Sequence, residues 1–145
     1  MEDIRSILSQ FQTKKKKTPA RSDAVQNSVT GPHAEASVSA IPDLFFDEVL
    51  FKAKLSRSEI GLLMFLYRQV WCRPNLYKSH GIGPLNSYAE MASILHISLE
   101  DLAQQLRTLE NYGFIETVRS GQYFLRKYFT EDLDIKYGQD YDQFF

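Results

Sequence analysis

The sequence predicts a mainly α-helical domain closed by a small β-hairpin, and three observations predict it. Ser56 and Ser87 each stand three residues ahead of a glutamate and open apolar stripes at helical spacing. A three-residue break, His96-Ile97-Ser98, separates two such stripes. Beyond Gly113 the pattern changes to two short strand-like runs around Ser120-Gly121.

Taken in order, the elements follow from local chemistry. Leu44, Phe45, Val49 and Leu50 suggest a short helix, with Pro42 suited to its first turn. Ser56 and Glu59 form a capping box, with Leu55 and Ile60 as its hydrophobic staple. Ile60, Leu63, Met64, Tyr67 and Val70 or Trp71 then supply a buried stripe, until Arg73-Pro74 ends the helix. A loop from Asn75 to Asn86 follows, with room for a short strand whose position the sequence does not mark.

Ser87 and Glu90 form a second capping box, opening a helix through Leu95 whose apolar face is Tyr88, Met91, Ala92 and Leu95. Ser98 caps the next helix, helped by Asp101 near its positive end. That helix runs from Leu99 to Asn111, with Leu99, Leu102, Ala103, Leu106 and Leu109 inward and Gly113 as a left-handed stop. Phe114 to Val118 reads as a strand, Ser120-Gly121 as a two-residue turn, and Gln122 to Phe129 as the partner strand.

The 145 residues suit one domain with tails. Residues 1–40 read as a disordered arm, since Thr13 to Ala40 holds almost no large apolar residue. Within the arm, residues 3–12 form a short amphipathic segment with Ile4, Ile7, Leu8 and Phe11 at i, i+3, i+4 and i+7, and residues 14–17 a basic run. Residues 41–129 form the domain, and residues 130–145 an acidic, aromatic tail. The net charge of −1 resolves into +2, +1 and −4 over these three segments. Overall neutrality therefore does not exclude a nucleic-acid partner.

Other function classes find little support. One cysteine excludes an intrachain disulfide framework and any multi-thiolate metal site within one chain. His33, His80 and His96 are scattered with no metal-ligand spacing, and no nucleophile, base and orienting group can be nominated together. Gly81 and Gly83 lack the rest of a phosphate loop. Neither a catalytic role nor a metal or cofactor is expected. No apolar run approaches a membrane span, and residues 1–13 lack the apolar core of a secretory signal, so the expected location is cytoplasmic.

Helix, short turn, helix, glycine stop and hairpin is the order of a winged helix-turn-helix. The run "YAEMASILHISLEDLAQQLRTLENYGFI", residues 88–115, resembles the helix-turn-helix of bacterial regulators and replication initiators. Ala92 stands where that family packs an alanine on the second helix, and Leu109-Glu110, Gly113 and Phe114-Ile115 match its closing step. Upstream, "IPDLFFDEVLFKAKLSRSEIGLLMFLYRQVW" is similar to the opening of the phage replication protein O N-terminal domain, including the step Arg68-Gln69-Val70-Trp71. The resemblance implies a DNA-binding transcription regulator or replication-initiation factor, with double-stranded DNA as partner.

In that architecture the second helix of the motif enters the major groove. Its candidate DNA contacts are Ser98, Gln104, Gln105, Arg107 and Thr108, whereas Glu100 and Asp101 repel phosphate. Arg119 beside the hairpin turn, and Arg126 and Lys127 on the return strand, suit phosphate contacts. Lys14, Lys15, Lys16 and Lys17 add sequence-independent attraction to nucleic acid. The rival reading is a protein-interaction module or homodimer, with Ile4, Ile7, Leu8 and Phe11 at one end and Tyr141, Phe144 and Phe145 at the other as partner contacts. The tail has two further readings, packing on its own domain or mimicking nucleic acid over the basic wing.

Overall fold

A computed structural model describes residues 33–143. The expectations for residues 1–32, for Phe144 and for Phe145 lie outside these residues. The chain falls into two units, Met1–Val38 and Ser39–Phe145, and the second holds every element below. A π-helical turn, Phe45–Val49, runs into the short helix α1, Leu50–Lys52. Helix α2, Arg57–Tyr67, is continued by a second π-turn, Arg68–Cys72. A 3₁₀ turn, Lys78–His80, precedes α3, Tyr88–Leu95, and α4, Leu99–Asn111. Strands β1, Ile115–Arg119, and β2, Gln122–Leu125, are antiparallel, and α5, Glu131–Lys136, follows them. The described residues are therefore mainly helical with one small hairpin.

Capping sets the helix boundaries. At Ser56 both halves of the box form: its Oγ accepts from the Glu59 N–H at 3.1 Å, and Glu59 accepts from the Ser56 N–H at 2.8 Å. Ser87 accepts from the Glu90 N–H, a single cap bond rather than the full box expected there. Ser98 accepts from the Asp101 N–H in the same way. Both α3 and α4 end in paired closing bonds that satisfy their last carbonyls. After α4, Gly113 N–H reaches Glu110 O and Phe114 N–H reaches Leu109 O, with Gly113 at φ +85°. After α3, His96 takes the left-handed position at φ +57°, where its Cβ makes the conformation costly.

Helices α2, α3 and α4 pack pairwise around a core that includes Leu62, Leu63, Leu66, Met91, Leu102 and Leu109. The α2 stripe is wider than its helical spacing suggested. Leu62, Phe65 and Leu66 are buried beside Leu63 and Tyr67, while Ile60 and Met64 are half-buried. Helix packing from two sides explains this, because α2 touches α3, α4 and β2. Leu99 and Tyr88, expected inward, are exposed at helix starts, beyond the reach of the core.

The loop after α2 adds an isolated bridge to the edge of the hairpin, at a place the sequence does not mark. Ile82 bridges Phe124, Gly83 N–H reaches Tyr123 O, and Leu125 N–H reaches Gly81 O. The segment thus lines β2 on the side away from β1. The return strand stops at Leu125 rather than continuing to Phe129. There the chain bends through Phe129, at φ +76°, and seats that ring on Phe45 and Tyr67 with centroids 5.1 and 4.8 Å apart.

Candidate nucleic-acid interface

The three-residue turn between α3 and α4 is built from the left-handed His96 and the capping Ser98, so the entry to α4 is fixed by backbone bonds. On α4, Gln104 and Arg107 are exposed one turn apart, and the Arg107 guanidinium donates to Gln104 Oε1 at 2.9 Å. This pair is free of the core and can present a planar donor fork to a base edge or a phosphate. Gln105 is engaged elsewhere: its amide exchanges hydrogen bonds with Ser58 Oγ on α2, which removes it from the outward face. Thr108 is half-buried and its hydroxyl donates back to Gln104 O. The Ser98 hydroxyl is exposed but already accepts the cap bond.

The hairpin departs further from its expected role. Small residues such as Ser120-Gly121 beside Arg119 would let a hairpin tip approach a nucleic-acid backbone. The close approach at Gly121 is instead to the chain itself. Asn86 N–H donates to Gly121 O at 2.7 Å, and a Cβ at Gly121 would fall 2.2 Å from Asn86 O. Beside it Arg119 is exposed, with its Nε–H donating to Gln122 Oε1 at 2.9 Å. Gln122 is buried and its amide donates to Gly83 O, linking this end of the hairpin to the bridged segment.

Arg126 and Lys127 lie past the strand end, at the base of the hairpin. Arg126 pairs with Asp134 at 3.3 Å, and Lys127 places its ammonium 5.8 Å from the Trp71 ring. Asp134 is a buried carboxylate that sequence reasoning missed. It also accepts from the Tyr128 N–H at 3.1 Å and from the Tyr141 hydroxyl at 2.6 Å. Tyr141, a candidate partner contact, is thus turned inward. Burial and the bond to Asp134 raise its hydroxyl pKa above the ordinary phenol value. The tail packs on the domain through Tyr141, while Tyr137 stays half-exposed beside Tyr128.

The charge along the outward elements is mixed. Glu100, Asp101, Glu110 and Glu116 are exposed on α4 and β1, against the guanidiniums of Arg107 and Arg119. Glu110 accepts from the Thr117 hydroxyl at 2.7 Å, tying the end of α4 to β1. Among the described residues no group of three or more His, Cys, Asp or Glu side chains could hold a metal ion. None of the described helices is long and apolar enough to cross a membrane. Comparison with protein-family models, with curated proteins and with solved structures finds no match.

Proposed function

We propose that the chain is a winged-helix DNA-binding protein, acting as a transcription regulator or a replication-initiation factor. The observation that carries this reading is the order of elements. Helix α2, a segment bridged to the hairpin at Ile82, helices α3 and α4, then the hairpin β1–β2 follow the winged-helix order, with the bridged segment beside the return strand. In that arrangement α4 is the groove-reading helix, Gln104 and Arg107 are its base-edge or phosphate contacts, and Arg119 contacts the backbone. Lys14 to Lys17 supply non-specific attraction. Two guanidiniums among four carboxylates make the folded surface a weak electrostatic binder that releases few counterions, so the salt slope of binding is set mostly by Lys14 to Lys17. The test is a titration of labelled duplex DNA with the full chain as salt is raised. Binding that weakens log-linearly with salt is expected, and no binding at about 50 mM salt overturns the reading.

A second reading, a winged-helix protein-interaction module, is favoured by those same exposed carboxylates. An apolar groove of about 390 Å³ between α2 and α3, lined by Ile41, Met64, Phe65, Ile94 and Leu95, also supports it. Duplex binding that is absent at low salt from the full chain would move the balance toward this reading.

A further inference from the structure

We propose that Trp71, Phe124, Arg126 and Lys127 form a binding site for single-stranded nucleic acid, and that the chain's own Tyr141 segment occupies it as a competitor. Tyr123 and Leu125 of β2 are buried, so Phe124 between them points to the opposite face of the hairpin, where it is half-buried. Trp71 is held beside it by an indole N–H bond to Leu125 O at 3.2 Å. Each ring carries a cation: the Arg126 guanidinium lies 5.3 Å from the Phe124 centroid and the Lys127 ammonium 5.8 Å from Trp71. Aromatic faces paired with cations are how sequence-tolerant single-strand sites hold bases and phosphates.

The group that covers these rings resembles the ligand they would take. The Tyr141 ring sits edge-on to Phe124 at 5.0 Å and 6.2 Å from Trp71. It is flanked by Asp140 and Asp142, one planar ring between two anionic groups on an irregular stretch of chain. Its hydroxyl accepts from the Lys127 N–H at 2.7 Å and donates to Asp134. Asp142 anchors the far side, its N–H reaching Ser79 O and its carbonyl meeting His80 Nδ1 at 2.8 Å, on the turn that also carries Lys78. Release breaks these few contacts and leaves α5 in place, a local opening rather than global unfolding.

The site is separate from α4 and from the Ser120-Gly121 turn, because Leu125 pairs with Ile115 at the opposite end of the hairpin. It therefore stands or falls independently of duplex binding. The experiment measures anisotropy of a labelled oligo-dT of about 15 nucleotides with the full chain and its variants. Tyr141→Ala is expected to bind at least about fivefold more tightly than the unmodified chain, and Lys127→Gln added to it to cancel the gain. Asp140→Asn with Asp142→Asn, both exposed, is expected to raise affinity about two- to threefold at low salt. Equal affinity of the unmodified and Tyr141→Ala chains, with native thermal melts, overturns the proposal. Should Tyr141→Ala fail to fold, absence of a gain in the double asparagine variant overturns it instead. Self-association of the unmodified chain that is lost in Tyr141→Ala, with no oligo-dT binding by either, would assign the site to the tail of a second copy and also overturn it. Failure of duplex binding with a gain on oligo-dT would refute the duplex reading alone.

Discussion

Arg126 at the base of the hairpin and Arg107 on α4 are the same side chain in opposite settings. Arg126 is 22% exposed and pairs at 3.3 Å with Asp134, whose side chain is 3% exposed. Arg107 is exposed and donates to Gln104 one helical turn away. The first guanidinium belongs to a network that also gathers the Tyr128 N–H and the Tyr141 hydroxyl. The second has a partner that water could replace at little cost. Burial pins the first between Asp134 and the Phe124 ring, where a ligand meets it only once Tyr141 is released, and exposure leaves the second available at once. Position in the fold, rather than residue type, decides which charge is open to a ligand without a rearrangement.

The strongest way to break this contrast is to remove Asp134. Asp134→Ala leaves Arg126 without its carboxylate and two donors without an acceptor. Breaking a buried pair from one side costs about 3–5 kcal/mol, and urea unfolding of the full chain measures it. A loss below about 1 kcal/mol would mean that water reaches the site and that the base of the hairpin is no more rigid than α4. Next in size is Gly121→Ala. The added Cβ meets Asn86 O in a left-handed backbone position, so a loss of about 1–3 kcal/mol is expected in the same assay. An unchanged midpoint would show that the turn moves away from Asn86, and the hairpin tip would then regain the freedom first expected of it.

These two sites also mark what the sequence could and could not reveal. Ser56, Ser98 and Gly113 were legible because a cap is a bond between near neighbours, and a short window contains both partners. The bridged segment was not, since Ile82 meets Phe124 across two helices and a strand and is the one large apolar side chain that Gly81 to Asn86 buries. In the sequence Asp134 is one carboxylate among five in an acidic tail. Its burial depends on Arg126, Tyr128 and Tyr141 meeting in space, which no periodicity encodes. On α4 the helical spacing correctly set Gln104 and Arg107 outward. It could not tell that Gln105 turns to Ser58, because that bond needs the packing of α2 against α4.

A smaller effect of opposite sign is expected at the turn into α4. His96 holds a left-handed conformation with a full side chain, and the closing bonds of α3 depend on it. His96→Gly removes the steric cost but adds backbone freedom to the unfolded chain, so a net gain of about 0.5–1 kcal/mol is expected. A thermal melt measures it. A loss would mean that the imidazole makes a contact worth more than the strain.

Arg107→Ala is expected to change stability least and to sharpen the contrast most. Its side chain is exposed and its bond to Gln104 lies within one helix, so the unfolding midpoint should shift by no more than about 0.5 kcal/mol. Duplex affinity should fall by about 1–3 kcal/mol if the guanidinium reads a base edge, and discrimination between sequences should relax with it. A uniform loss across sequences, with a salt slope reduced by about one ion, would place it on phosphate instead. Should Arg107→Ala destabilise the chain as much as Asp134→Ala while leaving duplex binding unchanged, the roles of the two regions would be reversed. The recognition surface would then have to be sought away from α4.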